Sequence, residues 1–144
     1  MSSRYRACGF ILFRRSTSNS SAPEILLLKN IKSGKWAPPK GGQEEGESDI
    51  ETAYREILEE TGIEKHQIIH HSDYEHTISY PHGNEGRFKK STFFLGELKG
   101  DQNIVLSHEH LAVEWMNFER AIEHAKIENY KTVYSVFRDI IAKL

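Results

Sequence analysis

The chain has a single cysteine, Cys8, among its 144 residues. That excludes an internal disulfide and any metal site built from several thiolates. Cys8 lies in an apolar run, where the expected role is a small buried hydrophobe rather than a reactive thiol. Long hydrophobic stretches are lacking too, since no apolar run approaches the roughly 20 residues that a membrane span needs. The amino-terminal MSSRYRACGFILFRR sets basic residues before a short apolar stretch, as a secretory leader does. That stretch, Ala7 to Phe13, stops at Arg14 and Arg15 with no small-residue cleavage site behind it. A cytoplasmic protein in a reducing compartment is expected, with no membrane partner. No one sign of charge dominates: 19 Lys and Arg face 21 Asp and Glu, for a formal net charge of −2. Attraction for a polyanion must therefore come from local patches, and no nucleic-acid partner is expected.

What remains is a folded composition, 38% hydrophobic and 28% charged. Its length suits one domain across 1–144, and a monomer is expected. Arg6 to Arg14 reads as a strand and Glu24 to Lys29 as a buried one, with a polar Ser/Thr/Asn loop at 16–21 between them. In SGKWAPPKGG, two prolines and two closing glycines predict no regular structure across 34–42. His70 to Tyr80 and Phe88 to Leu98 read as strands separated at Pro81, Gly83 and Gly86. Ala112 to Met116 is a short strand, and Asn117 suits the cap of a following helix. From Asn129 onward, Val133, Val136, Phe137, Ile140, Ile141 and Leu144 recur at helical spacing. The pattern predicts a mixed sheet flanked by helices.

The acidic stretch GGQEEGESDIETAYREILEETGI, at 41–63, contains one base, Arg55. Ser48 with Glu51 forms a capping box that starts a helix near Asp49, and Thr61-Gly62 ends it. At about 100° per residue, Ile50, Ala53, Tyr54, Ile57 and Leu58 share one side, while Glu56, Glu59 and Glu60 cluster on the other. Carboxylates at i, i+3 and i+4 repel one another, and near the helix carboxyl end they oppose its dipole. A solvated acidic face would more often interleave lysines. The arrangement suits a hard divalent cation, and oxygen-only ligands favour Mg²⁺, Mn²⁺ or Ca²⁺ over zinc. An EF-hand is excluded, because its loop has no helix running through its acids.

Gly41, five residues, Glu47, seven residues, and then REILEETGI at 55–63 resemble the Nudix box with every fixed position filled. RACGFILFRR at 6–15, EILLLK, WAPPKG at 36–41 and LSHEH at 106–110 extend the resemblance to the animal-type asymmetrical diadenosine tetraphosphate hydrolases. The resemblance implies an α/β/α sandwich with a mixed sheet. It also implies metal-dependent cleavage of a dinucleoside tetraphosphate, a small-molecule substrate, into a nucleoside triphosphate and a monophosphate, with Mg²⁺ or Mn²⁺. Three places depart from the pattern: Lys35 and Gly42 stand where histidines are usual, and Ala37 where threonine is. Rival readings of the same box are a pyrophosphohydrolase acting on RNA 5′ ends or on diphosphoinositol polyphosphates, and a catalytically inactive nucleotide sensor.

Residue by residue, the resemblance implies metal ligation by Glu56, Glu59 and Glu60, assisted by the Gly41 carbonyl, and by Glu109 as a further ligand or as the base. Glu56 is the other candidate base. Arg55 and Glu47 are implied to pair, fixing the loop against the helix. Lys40 follows two stiffening prolines beside glycines that let backbone approach a phosphate. Lys89 and Arg87 match basic positions implied to face the polyphosphate, with Lys89 the stronger candidate. Tyr80 and Tyr130 match aromatics implied to sandwich an adenine, whereas Tyr54 and Tyr134 suit the core. Trp36 suits either the site wall or a pin for its loop. His108-Glu109-His110 is expected to run extended, Glu109 facing away from the two histidines.

Overall fold

The computed structural model describes residues 2–15, 22–82, 86–100 and 103–144. The loop predicted at 16–21 and the turn position Gly83 lie outside them. Strand β1 (Ser2–Arg15) runs parallel to β6 (Arg87–Leu98), which pairs antiparallel with β5 (Ile68–His82) at the sheet edge. Strand β2 (Pro23–Asn30) pairs antiparallel with β7 (His110–Asn117) along one edge. Its other edge is shared between the end of β1 and the two-residue β3 (Trp36–Ala37). Strand β4 (Lys40–Glu44) pairs antiparallel with β1 at Ala7 to Gly9. One parallel pairing among antiparallel ones makes this the mixed sheet that was predicted.

The segment 34–42 is more regular than its prolines and glycines predict. Gly34 and Lys35 stay irregular, but beyond them only Pro38-Pro39 interrupts it: Trp36 and Ala37 pair with Lys29 and Leu28, and Lys40, Gly41 and Gly42 pair with Gly9, Cys8 and Ala7. The prolines, which lack the ladder donor, fall in the fork where the chain crosses from β2 to β1. The Pro39 carbonyl accepts from Phe10 N–H at 3.2 Å. A Cβ on Gly9 would lie 2.2 Å from that carbonyl oxygen, so the close crossing requires glycine there. Pro81, read as a strand breaker, pairs opposite Phe88 inside β5, which an edge strand tolerates because one side needs no donor.

Helix α1 (Asp49–Thr61) covers one face, and α2 (Phe118–His124) with α3 (Glu128–Ile141) covers the other. Each face has its own core. Cys8, Phe10, Leu12, Leu26 and Phe94 pack with Ala53 and Ile57 of α1. Ile11, Phe13, Leu27 and Phe93 pack with Phe118, Val133, Tyr134 and Phe137. Leu58, predicted for the apolar side of α1, is 48% exposed, because the stripe that touches the sheet is narrower than the predicted arc. Leu144 is 49% exposed, beyond the end of α3. Asn117 caps α2 as predicted, accepting from Arg120 N–H at 2.8 Å. Among the described residues, no helix is long and apolar enough to cross a membrane.

Candidate active site

Helix α1 is held at both ends by its own sequence. Ser48 and Glu51 make the reciprocal capping box, and Gly62 closes the carboxyl end with φ 78°, its N–H bonding the Leu58 carbonyl. Arg55 then ties the helix to β4. Its Nε and Nη2 donate to the two Glu47 carboxylate oxygens at 2.7 and 3.0 Å, and Nη2 also donates to the Gly42 carbonyl at 2.8 Å. Bonds from Arg55 hold the Glu47 carboxyl well down, to about 2. The remaining Arg55 nitrogen reaches Glu56 at 3.0 Å and Glu59 at 3.3 Å. The pairing implied for Arg55 and Glu47 is thus present.

The acids behind that clamp differ in environment. Glu59 is largely exposed. Glu56 lies against Gly41 so closely that a Cβ there would sit 2.1 Å from the Glu56 carboxyl carbon. Desolvation pushes the Glu56 pKa up, against the pull of Arg55. Glu60 is only 7% exposed, and burial first, then the Glu56 charge, push it up to about 8. Its carboxylate accepts a hydrogen bond from Lys40 N–H at 3.0 Å.

Glu109 reaches the same region by a route that sequence reasoning did not foresee. After β6 the chain crosses the carboxyl end of α1, where Val105 N–H donates to the Thr61 carbonyl at 2.9 Å and Ser107 N–H to the Glu60 carbonyl at 3.3 Å. These bonds satisfy carbonyls that a helix end leaves open. Ile31 N–H donates to the Glu109 carbonyl at 3.0 Å, fixing the other side. The expected extended run at 108–110 is replaced by a turn at His108 and Glu109, and β7 begins at His110. Alternation therefore does not set the Glu109 direction; the turn does. The Glu109 charge acts on both Glu56 and Glu60, raising each.

A cavity of about 290 Å³ opens beside these acids. Lys40, Glu60 and Glu109 line it, and so do Trp36, Ile127 and Tyr130. Lys35 and Lys126 also line it. Trp36 is accordingly a wall residue as well as part of β3. Tyr130 is 6% exposed, stacked on Tyr134 at 6.1 Å and edge-on to Phe93 at 5.9 Å, so most of its ring is core. Tyr80 and Lys89 sit opposite each other at the β5–β6 edge and do not line the cavity. The Tyr80 hydroxyl lies 3.4 Å from Ser91 Oγ. Arg87 donates to the Tyr5 hydroxyl at 3.0 Å. Lys126 and Ile127, between α2 and α3, had no recognisable signal in the sequence, because only the tertiary fold brings that connection to β3.

The donor set is carboxylate and carbonyl oxygen, with Glu56 and Glu60 both raised by burial and by neighbouring acids, and this suits a hard divalent cation. Among the described residues, no three His, Cys, Asp or Glu side chains already form a ready-made metal cage. Arg55 compensates Glu56, and the Lys40 N–H compensates Glu60.

Comparison with known proteins narrows the chemistry. The NUDIX domain family matches residues 4–137. The bis(5'-nucleosyl)-tetraphosphatase [asymmetrical] of Rattus norvegicus is 38% identical over 133 residues, covering 88% of both chains. The crystal structure of a C. elegans Ap4A hydrolase binary complex superposes with a TM-score of 0.89 at 30% identity, covering 97% of this chain and 99% of that one. An RNA pyrophosphohydrolase of Helicobacter pylori (strain P12) is 32% identical over 138 residues, covering 88% of this chain and 85% of its own.

Proposed function

We propose, from the premise that this chain belongs to the Nudix family, that it hydrolyses dinucleoside tetraphosphates asymmetrically with the help of a divalent metal ion, Mg²⁺ or Mn²⁺. Diadenosine tetraphosphate and water would give ATP and AMP. The observation that carries this reading is the single cavity joining acids (Glu60, Glu109) and the Lys40 cation to an aromatic and apolar wall of Trp36, Ile127 and Tyr130. A polyphosphate needs the first part and a nucleobase the second. The likeness to the rat and nematode enzymes supports the choice of substrate.

Glu56, Glu59, Glu60 and Glu109, with the Gly41 carbonyl, would hold the ion. When bound, it supplies neutralisation of phosphate charge and acidification of water. Lys40 holds a phosphate oxygen by charge, at the end of a stiff Pro38-Pro39 segment that limits its sway. Arg55 keeps α1 and β4 in register, so that Glu56 stays over Gly41. Glu56 or Glu109 accepts the proton from the attacking water. One P–O bond forms from that water at the phosphorus of the AMP moiety, and the bond to the ATP leaving oxygen breaks. Tyr80, which packs on the core cluster that holds Tyr130, offers its ring to an adenine, and Lys89 opposite it offers charge to the phosphates.

The test is product analysis in ¹⁸O-labelled water with Mg²⁺ present. Label should appear in AMP and not in ATP, and chelation by EDTA should abolish turnover. Two molecules of ADP as sole products would mean a different cleavage register. The likeness to the Helicobacter protein keeps a second reading open to the same assay: release of pyrophosphate from triphosphorylated RNA, faster than cleavage of the dinucleotide, would favour it.

A further inference from the structure

His110 lines the same cavity as Lys40, Glu60 and Glu109, yet the reaction described above gives it no part. Its position is unusually well fixed for a residue just past a turn. Ser107 accepts its backbone N–H at 3.2 Å and pairs with its ring Nδ1 through Oγ at 3.2 Å. Ser107 is itself tied to α1 by its N–H on the Glu60 carbonyl, and His110 pairs with Asn30 at the start of β7. The His110 backbone is thus anchored to the elements that carry Glu60 and Glu109, and the Ser107 hydroxyl orients its ring. With Nδ1 engaged, Nε2 is the ring atom left for a ligand. It has no protein partner among the described residues, and it is not among the buried atoms left unpaired.

We propose that His110 is a substrate-binding residue, its Nε2–H donating to a non-bridging oxygen of the polyphosphate chain, and that Ser107 is the positioning residue that orients it. This rests on the polyphosphate reading above. The chemistry follows from the pairing. A phosphate oxygen can only accept, so a bare Nε2 lone pair would oppose it. If the Ser107 hydroxyl donates to Nδ1, the ring proton sits on Nε2, facing the ligand with the polarity a phosphate needs. Lys40, whose charge also reaches His110, would hold a second oxygen, so that a point charge and a directional donor act together. A purely structural histidine in this turn would need Nδ1 alone.

That difference sets the experiment. With histidine-selective ¹⁵N labelling and Mg²⁺ present, the His110 ring should show a protonated Nε2 and a bare Nδ1, its signals assigned by their loss in His110→Gln. Inorganic tripolyphosphate should shift the Nε2 signal. In direct binding of tripolyphosphate, His110→Asn, whose amide reaches only the Nδ1 position, should weaken affinity about tenfold. His110→Gln, whose amide reaches the Nε2 position, should stay within about threefold of wild type. Ser107→Ala should keep the ring but mix its tautomers and fall between the two. Equal losses in the Asn and Gln variants, or unchanged affinity in both, or a ring indifferent to saturating tripolyphosphate, would overturn the proposal. Turnover of diadenosine tetraphosphate in the same samples separates the two readings. A wild-type protein that shows the His110 response without turnover would lose the dinucleotide reading and keep the contact. Normal turnover with no response would lose only the contact.

Discussion

A carboxylate that is 7% exposed and faces two other acids resists giving up its proton, which is why Glu60 is pushed up to about 8. In the unfolded chain it returns to its ordinary 4.5. Between those values the folded, metal-free protein binds a proton that the unfolded chain does not. The associated stability is full below the unfolded value and is lost as pH rises through the folded one. The thermal midpoint of metal-free protein should therefore fall as pH rises from about 4.5 to about 8, and Glu60→Gln should flatten that fall. Mg²⁺, binding the carboxylate form, should raise the midpoint more near the top of this range than near the bottom. Thermal unfolding with and without Mg²⁺ across the range checks all three, and an Mg²⁺ effect independent of pH would remove Glu60 from the metal site. The same variant should lower kcat at least about a hundredfold. Glu56, Glu59 and Glu60 were legible as one arc because helical spacing is local. That Glu60 is buried while Glu59 is exposed was not legible, since the difference depends on where β4 lies. Glu109 needed the resemblance, because its proximity to α1 comes from backbone bonds between residues far apart in the chain, Val105 with Thr61 and Ser107 with Glu60.

Elements whose signals are local came through from the sequence unchanged: the capping box at Ser48, the Gly62 stop and the Asn117 cap all sit where their residue types demand. Ser48→Ala should cost about 1 kcal/mol, a fall of roughly 3 °C in the midpoint, with kcat nearly unchanged because the cap lies at the far end of α1 from Glu60. Elements that exist only through partners were hidden. Strand β4 opens with a lysine and two glycines that composition assigns to a loop, and its pairing with β1 is what makes it a strand. Its glycine is also functional in placement. In Gly41→Ala the new methyl group would fall on the Glu56 carboxylate, at a distance that real Cβ atoms do not show. The carboxylate must move, so Gly41→Ala should reduce kcat by about a hundredfold or more while leaving the α1 cap and the two cores intact. Near-wild-type turnover in that variant would mean that the Glu56 position is not needed for chemistry.

At the scale of the molecule, the two faces of the sheet divide the work: α1 brings the acids on one side, and α3 brings an aromatic wall on the other. The fork between β1 and β2, bridged by Pro38-Pro39, lets one cavity touch both. The mixed sheet and its flanking helices were readable from strand and helix periodicity, but the fork was not, because it depends on which edge of β2 each partner takes. This arrangement changes what to expect of the two tyrosines implied to hold adenine. Tyr130 belongs mostly to the α3 core, stacked on Tyr134 and edge-on to Phe93, whereas Tyr80 is half-buried at the sheet edge. Removing the Tyr130 ring should leave a cavity and cost about 3–5 kcal/mol of stability, so loss of activity in Tyr130→Ala would report folding as much as binding. Tyr80→Ala is the cleaner probe, and should raise KM roughly 5- to 150-fold, the equivalent of about 1–3 kcal/mol of stacking, with little change in midpoint. Phenylalanine at either place keeps the ring face and should be nearly neutral for KM. Steady-state kinetics on diadenosine tetraphosphate, paired with thermal unfolding of each variant, separates the two roles. An unchanged KM in Tyr80→Ala would leave the base to Trp36 and Ile127, the residues that line the cavity beside Tyr130. A Tyr130→Ala protein as stable as wild type would mean that its ring serves the ligand and not the core.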